Sequence, residues 1–221
     1  MSNDLCGGIS IGIQNETTGT IGYIFRDPMS REFLILTAGH VLNNWGGARS
    51  TYVCQPGDID CRALSLTPTQ YLVGDVVRVD PQTLSFSSSN PPLYKVDAGV
   101  ARLRNPNTLQ LKIMECGAVK EIGTAQEEMI VRKVGRTTGL TFGKVTDIRS
   151  SYIITNPANS NEIAILSDQI LTTSMSKEGD SGSVLLDEWN RVIGLLCAGG
   201  DDKSVFTPIH EVMNALNITL F

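Results

Sequence analysis

The chain has 221 residues, 41% of them hydrophobic and 19% charged, with a net charge of −5. That length supplies one large domain or two small ones with a real core, and balanced hydropathy with 6% aromatics excludes a disordered chain. No run approaches about 18 uncharged apolar residues, so no transmembrane helix and no membrane partner is read.

The first residues, MSNDLCGGIS, lack the basic-then-apolar profile of a secretory signal. An acidic chain without Lys/Arg runs argues against a nucleic-acid surface. The five cysteines (Cys6, Cys54, Cys61, Cys116 and Cys197) are odd in number, scattered, and form no CxxC pair. Neither a metal site nor a disulfide scaffold is favoured, no cofactor is expected, and a reducing, cytoplasmic compartment is.

Taken in chain order, short runs of Val, Ile, Leu and Thr between 21 Gly and 9 Pro predict an all-β protein. Strands are expected at 7–13, 20–26, 32–38, 71–79 and 95–103 in the first half, with DPMSR (27–31) as a hairpin turn. They continue at 128–135, 142–148, 151–155, 162–168, 182–187, 191–199 and 204–208. About twelve short strands are too many for one small sandwich and fit two packed barrels. The Ser/Asn/Pro-rich stretch at 85–92 is loop-like but too short for an interdomain linker, and the division is placed near 105–115, around RNPNTLQLK, giving 1–110 and 111–221. One helix is predicted at the C-terminus, with Thr207 as cap, Pro208 in the first position, and Ile209, Val212, Met213 and Leu216 on one stripe.

Three segments carry chemistry: LTAGH (36–40), VDAGVARL (96–103) and EGDSGS (178–183). A serine nucleophile needs a base to take its proton, a carboxylate to orient that base, and two convergent N–H groups for the developing oxyanion. Glycines beside Ser181 permit such a nest, which makes the Gly179 and Ser181 N–H groups the natural donors. Singly, each segment has an ordinary reading: a satisfied histidine, an Asp paired with an Arg, a Gly-Asp-Ser-Gly turn. Together they shift the balance, because the chain has only two histidines, His40 and His210, and the order His, Asp, Ser is that of two-barrel serine proteases.

LTAGH, VDAGVARL and GDSGS resemble the three signatures of the trypsin/chymotrypsin family, and KVGRTTGLTFGKVT (133–146) resembles a segment of bacterial streptogrisins and α-lytic protease. The closing VFTPIHEVMNALNITLF is similar to their last strand and helix. The resemblance implies two six-stranded antiparallel barrels with the site between them. It implies His40 as general base and then acid, Asp97 as its orienting carboxylate, and Ser181 as nucleophile. Asp75 and Asp80 compete for the carboxylate role, but the apolar flanks of Asp97 suit a buried carboxylate better.

The resemblance also implies that Asp180 needs a cation. In trypsin-like zymogens a newly released N-terminal amine supplies it; in the bacterial relatives the GRTTG arginine does, which here is Arg136. Two departures point to an enzyme without the secreted relatives' disulfides: Val41 follows His40 where a Cys is common, and Lys177 stands where the pocket-bracing Cys is expected. The sequons at Asn15 and Asn217 are then incidental. By position, Met175 is expected at the base of the specificity pocket with Gly199 and Ser204 on its walls, favouring an uncharged, medium-sized apolar side chain before the scissile bond.

A protein or peptide substrate is expected, and a cytoplasmic protease with no recognised propeptide is expected to answer to an activating or inhibitory protein partner. The alternatives are a trypsin-like domain used mainly as a binding or sensor module, and an ester hydrolase. Against an α/β-hydrolase, Ser183 stands where G-x-S-x-G needs glycine.

Overall fold

Short apolar runs buried over most of their length set many of the strands, among them Phe33–Thr37, Ala98–Leu103, Val192–Gly199 and Lys203–Pro208, and Gly, Pro and Asn at the turns end them. The computed structural model describes residues 4–156 and 158–220. Its first half holds β1 (Leu5–Gly7), β2 (Ser10–Ile13), β3 (Gly19–Thr20), β4 (Tyr23–Arg26), β5 (Phe33–Thr37), α1 (Gly39–Asn43), β6 (Tyr52–Cys54), α2 (Asp58–Ala63), β7 (Leu72–Asp80), β8 (Leu93–Tyr94), β9 (Ala98–Leu103) and β10 (Leu109–Ile113). The second half holds β11 (Ile130–Gly135), β12 (Gly139–Asn156), β13 (Asn159–Thr173), β14 (Val184–Leu186), β15 (Val192–Gly199), β16 (Lys203–Pro208) and α3 (Ile209–Leu216).

Two seven-stranded sheets result, ordered β3-β2-β6-β7-β9-β5-β4 and β12-β11-β14-β15-β16-β13-β8. Direct pairing of β12 with β13 closes six strands of the second into a barrel. The seventh, β8, comes from the N-terminal half and pairs in parallel with β13, while β1 and β10 form a separate parallel pair. The expected strands at 7–13 and 20–26 are each broken in two, the first at Gly8, whose φ is 90°. Those expected at 142–148 and 151–155 are one 18-residue strand, β12, bent by register shifts against β13. Short β6, β8 and β10 and the one-turn helices α1 and α2 had not been predicted.

The 27–31 turn joins β4 to β5 as a hairpin, with Asp27 Oδ1 accepting from the N–H groups of Met29 and Ser30. Helix α3 begins at Ile209 after Pro208, and Thr207 does not cap it. The Thr207 hydroxyl instead donates to Gln169 Oε1 at 2.9 Å inside the barrel. Ile209, Val212 and Leu216 are buried in one cluster with Phe25 and Leu34 of the first sheet and Val184 and Leu195 of the second. This shared core holds the two sheets together and fixes the cleft between them.

Candidate active site

Strand β5 ends at Thr37, and α1 carries His40 in its first turn. Asp97 lies just before β9, the neighbour of β5, so sheet pairing brings carboxylate and imidazole together. Asp97 Oδ2 is 2.6 Å from His40 Nδ1, and its Oδ1 accepts from the His40 backbone N–H at 3.0 Å. A Cβ on Gly39 would sit 2.6 Å from Asp97 Oδ1, which explains the small residue before the histidine. Asp97 is 3% exposed, as its apolar flanks predict. The competitors are elsewhere: Asp75 is bound to Arg104 on the surface, and Asp80, at the end of β7, has a carboxyl raised by burial.

Three residues around this pair, Trp45, Cys197 and Gln169, carry roles that the sequence does not show. Trp45 stacks on the His40 imidazole with centroids 4.6 Å apart and planes 8° from parallel, on a backbone with φ of 58°. Behind Asp97, the Cys197 thiol is pushed up to about 12 by burial and then by the nearby Asp97 charge, so it stays protonated. Gln169, fully buried, donates to Lys95 O at 2.9 Å and accepts from Thr207, tying the segment before Asp97 to the second barrel.

Ser181 lies across the cleft, which it lines together with His40, Trp45, Tyr152, Ser176–Gly179 and Leu196–Gly199, around a volume of about 600 Å³. Among the described residues, no hydrogen bond joins Ser181 Oγ to His40, and none takes up the Gly179 or Ser181 N–H. Gly179 has φ of 94°, and a Cβ there would collide with Thr137 Oγ1, so the loop requires glycine. The carbonyls of Gly179 and Ser181 are both held from the first barrel: Thr20 Oγ1 donates to Gly179 O at 2.9 Å and Thr20 N–H to Ser181 O at 2.8 Å.

The cation expected for Asp180 is corrected. Lys133 on β11, not Arg136, meets the Asp180 carboxylate, with Nζ 3.2 Å from Oδ2 and both side chains fully buried. Asp180 also accepts from the N–H groups of Thr137 (2.8 Å), Thr138 (3.0 Å) and Lys177 (2.9 Å) and from the Thr138 hydroxyl (2.7 Å). Burial alone would raise this carboxyl, but those donors and Lys133 together carry it below the usual range. The GRTTG segment therefore serves Asp180 through its threonines. Its arginine turns away to α2, where Arg136 forms a forked pair with Asp60, Nε to Oδ2 at 2.8 Å and Nη2 to Oδ1.

The pocket expectation is corrected in part. Gly199 lines the cleft. Met175 is 5% exposed and packs into the second barrel's core with Val145, Ile170, Leu196 and Phe206, because Thr141 Oγ1 and Ser204 Oγ hold its backbone. Ser204 lies one layer below the cleft surface, hydrogen-bonded to Ser176. His210 lies on α3 beside Thr124, away from this cleft. All five cysteines are free thiols, and among the described residues no His/Cys/Asp/Glu group could hold a metal. No helix among them is long and apolar enough to cross a membrane.

The model of peptidase family S64 matches residues 96–219, more than half of the chain. No curated protein matches the sequence significantly. Among solved structures, Thermobifida fusca protease A superposes with a TM-score of 0.67 at 18% identity, covering 98% of both chains. The chymotrypsin of Cellulomonas bogoriensis gives 0.66 at 20% identity, covering 99% of this chain and 98% of that one. The α-lytic protease homologue N4 gives 0.66 at 18%, covering 99% and 100%. At such identities these structures speak for the fold, and the family match speaks for the chemistry. The chain belongs to peptidase family S64 and is a serine protease with a chymotrypsin-like fold.

Proposed function

We propose that the chain is an endopeptidase that cleaves protein or peptide substrates through an acyl-enzyme on Ser181. Ser181 Oγ attacks the scissile carbonyl while His40 Nε2 takes its proton, and Asp97 stabilises the imidazolium through Nδ1–H. The N–H groups of Gly179 and Ser181 receive the oxyanion. His40 then protonates the leaving amine, and water, activated by the same imidazole, releases the acyl group. The observation that carries this reading is the 2.6 Å contact of buried Asp97 with His40 Nδ1, on a cleft shared with Ser181. Five free cysteines, four of them buried, support a reducing, cytoplasmic setting.

The test is Ser181→Ala against wild type on a peptide library, alongside mass-spectrometric detection of a fluorophosphonate adduct. Ser181 sits in a turn, so the variant should fold with near-wild-type stability. Its turnover should fall by several orders of magnitude, leaving only what oxyanion stabilisation and binding provide. Turnover above about one per cent of wild type, or an adduct on another residue, removes Ser181 from the role.

A further inference from the structure

The side chain whose carbonyl Ser181 attacks has to enter the cleft beside that serine, and two walls flank the entry: Ser176–Gly179 on one side and Leu196–Gly199 on the other. These walls touch. A Cβ placed on Gly199 would lie 2.6 Å from Ser176 Oγ. A side chain sandwiched between two walls needs about 4 Å to each, hence about 8 Å between them, and here not even one methyl group fits at that level.

The closure is built in rather than a chance rotamer. Ser176 Oγ is 2.6 Å from Ser204 Oγ, which also accepts from the Met175 N–H at 3.0 Å. Both serines are buried, at 8% and 0% exposure. Turning the Ser176 hydroxyl away would take from the buried Ser204 hydroxyl one of its two hydrogen bonds, and that carries a cost. Met175, which would otherwise deepen the floor if small, is committed to the barrel core. The recess beside Ser181 is thereby closed at the Ser176 hydroxyl, with Ser204 behind it.

We propose that Ser176, braced by Ser204, restricts the residue before the scissile bond to a small side chain, so that the enzyme cleaves after Gly, Ala or Ser. This rests on the endopeptidase reading above and replaces the medium-sized apolar preference expected from position alone. Larger apolar, aromatic or charged side chains meet the Ser176–Gly199 contact before they are buried.

The test is a series of otherwise identical peptides carrying Gly, Ala, Ser, Leu, Met, Phe, Lys or Glu at that position, assayed with wild type, Ser176→Gly and Ser176→Ala. Wild type should favour Ala over Leu or Phe in kcat/KM by at least about 100-fold, since a single misfitted methylene is already worth roughly 10–200-fold in a fitted pocket. Ser176→Gly should raise cleavage after Leu or Met at least about tenfold relative to Ala, with a smaller gain in Ser176→Ala. Best cleavage by wild type after Leu, Met, Phe, Lys or Glu overturns the proposal, as does an unchanged profile in both variants. If neither variant folds, the wild-type series decides alone. A fluorophosphonate with no side chain separates the two readings: an adduct on Ser181 with a large-residue preference overturns only the pocket, whereas no adduct on Ser181 overturns both.

Discussion

The Lys133 ammonium lies 3.2 Å from the Asp180 carboxylate with neither side chain open to solvent. It therefore neutralises the acidic group between Gly179 and Ser181, the two residues proposed to receive the oxyanion. Lys133→Met should leave a buried charge uncompensated, at about 3–5 kcal/mol of stability, and should collapse activity although no group in the cleft is touched. Adding Asp180→Asn should recover part of the stability. Arg136→Ala should do far less, because its forked bond to Asp60 is partly exposed and lies outside the Asp180 shell. Urea midpoints and kcat for the four proteins check this; a larger loss in Arg136→Ala than in Lys133→Met contradicts it.

Thr20 is the first barrel's grip on the loop. Its hydroxyl donates to Gly179 O and accepts from the Arg136 N–H, and it is wholly buried. Thr20→Val keeps the shape and removes both bonds, so Gly179 O and the Arg136 N–H lose their partners. A cost of about 1–3 kcal/mol follows, and loosening the Gly179 donor should lower kcat by about 10²-fold with KM little changed. Thr20→Ser, which restores the hydroxyl, should recover most of the rate. Equal rates for Val and Ser would show that the hydroxyl does not position the loop.

Acid should loosen the same region. Asp60 is held below the usual carboxylate range chiefly by the Arg136 hydrogen bonds, and Asp180 is also lowered once its donors outweigh burial. Groups lowered in the folded state stabilise it above the unfolded carboxyl value, near 3.9, and that stability is lost as pH falls through the folded value. Asp80, raised by burial, works the other way and gives some stability back as it protonates. The net expectation is a urea midpoint that holds down to about pH 4 and drops below it. The drop should be shallower in Asp60→Asn, which has already lost that contribution at neutral pH.

Much of this was legible in the sequence because it depends on local pattern. His40, Asp97 and Ser181 announce themselves by small or apolar flanks, and the barrel strands by short apolar runs between Gly and Pro. The partner of Asp180 was not, since the motif supplies an arginine and only packing shows it turning to Asp60. A signal did exist: Lys133 falls on the same inward face of β11 as buried Val131, and a lysine among buried positions asks for an acid. Trp45, Gln169 and Thr20 carried no such mark, because their roles depend on elements distant in sequence. Met175 failed for a related reason, as position in a motif fixes the backbone but not which way a side chain packs.

Trp45 provides the last test. Its indole lies flat on the imidazole of His40, and the Phe86 ring, tilted by 56°, has its centroid 6.3 Å from that of Trp45. The positive φ at Trp45 is an unfavourable setting for a bulky residue, so the surrounding contacts hold it there against a local cost. A ring in that position limits the imidazole's rotation and covers one face from water. Stacked aromatic pairs are worth about 0.5–1.5 kcal/mol, and the electron-rich indole face also favours the imidazolium formed during attack. Trp45→Ala should therefore lower kcat by about 3- to 10-fold, whereas Trp45→Phe, which keeps a face for stacking, should retain most of it. Labelling by a side-chain-free fluorophosphonate should slow in the same order, since it reports attack by Ser181 without the substrate's own contacts. Unchanged kcat and labelling in Trp45→Ala would mean that the indole merely walls the cleft, and the defect, if any, would appear in KM alone.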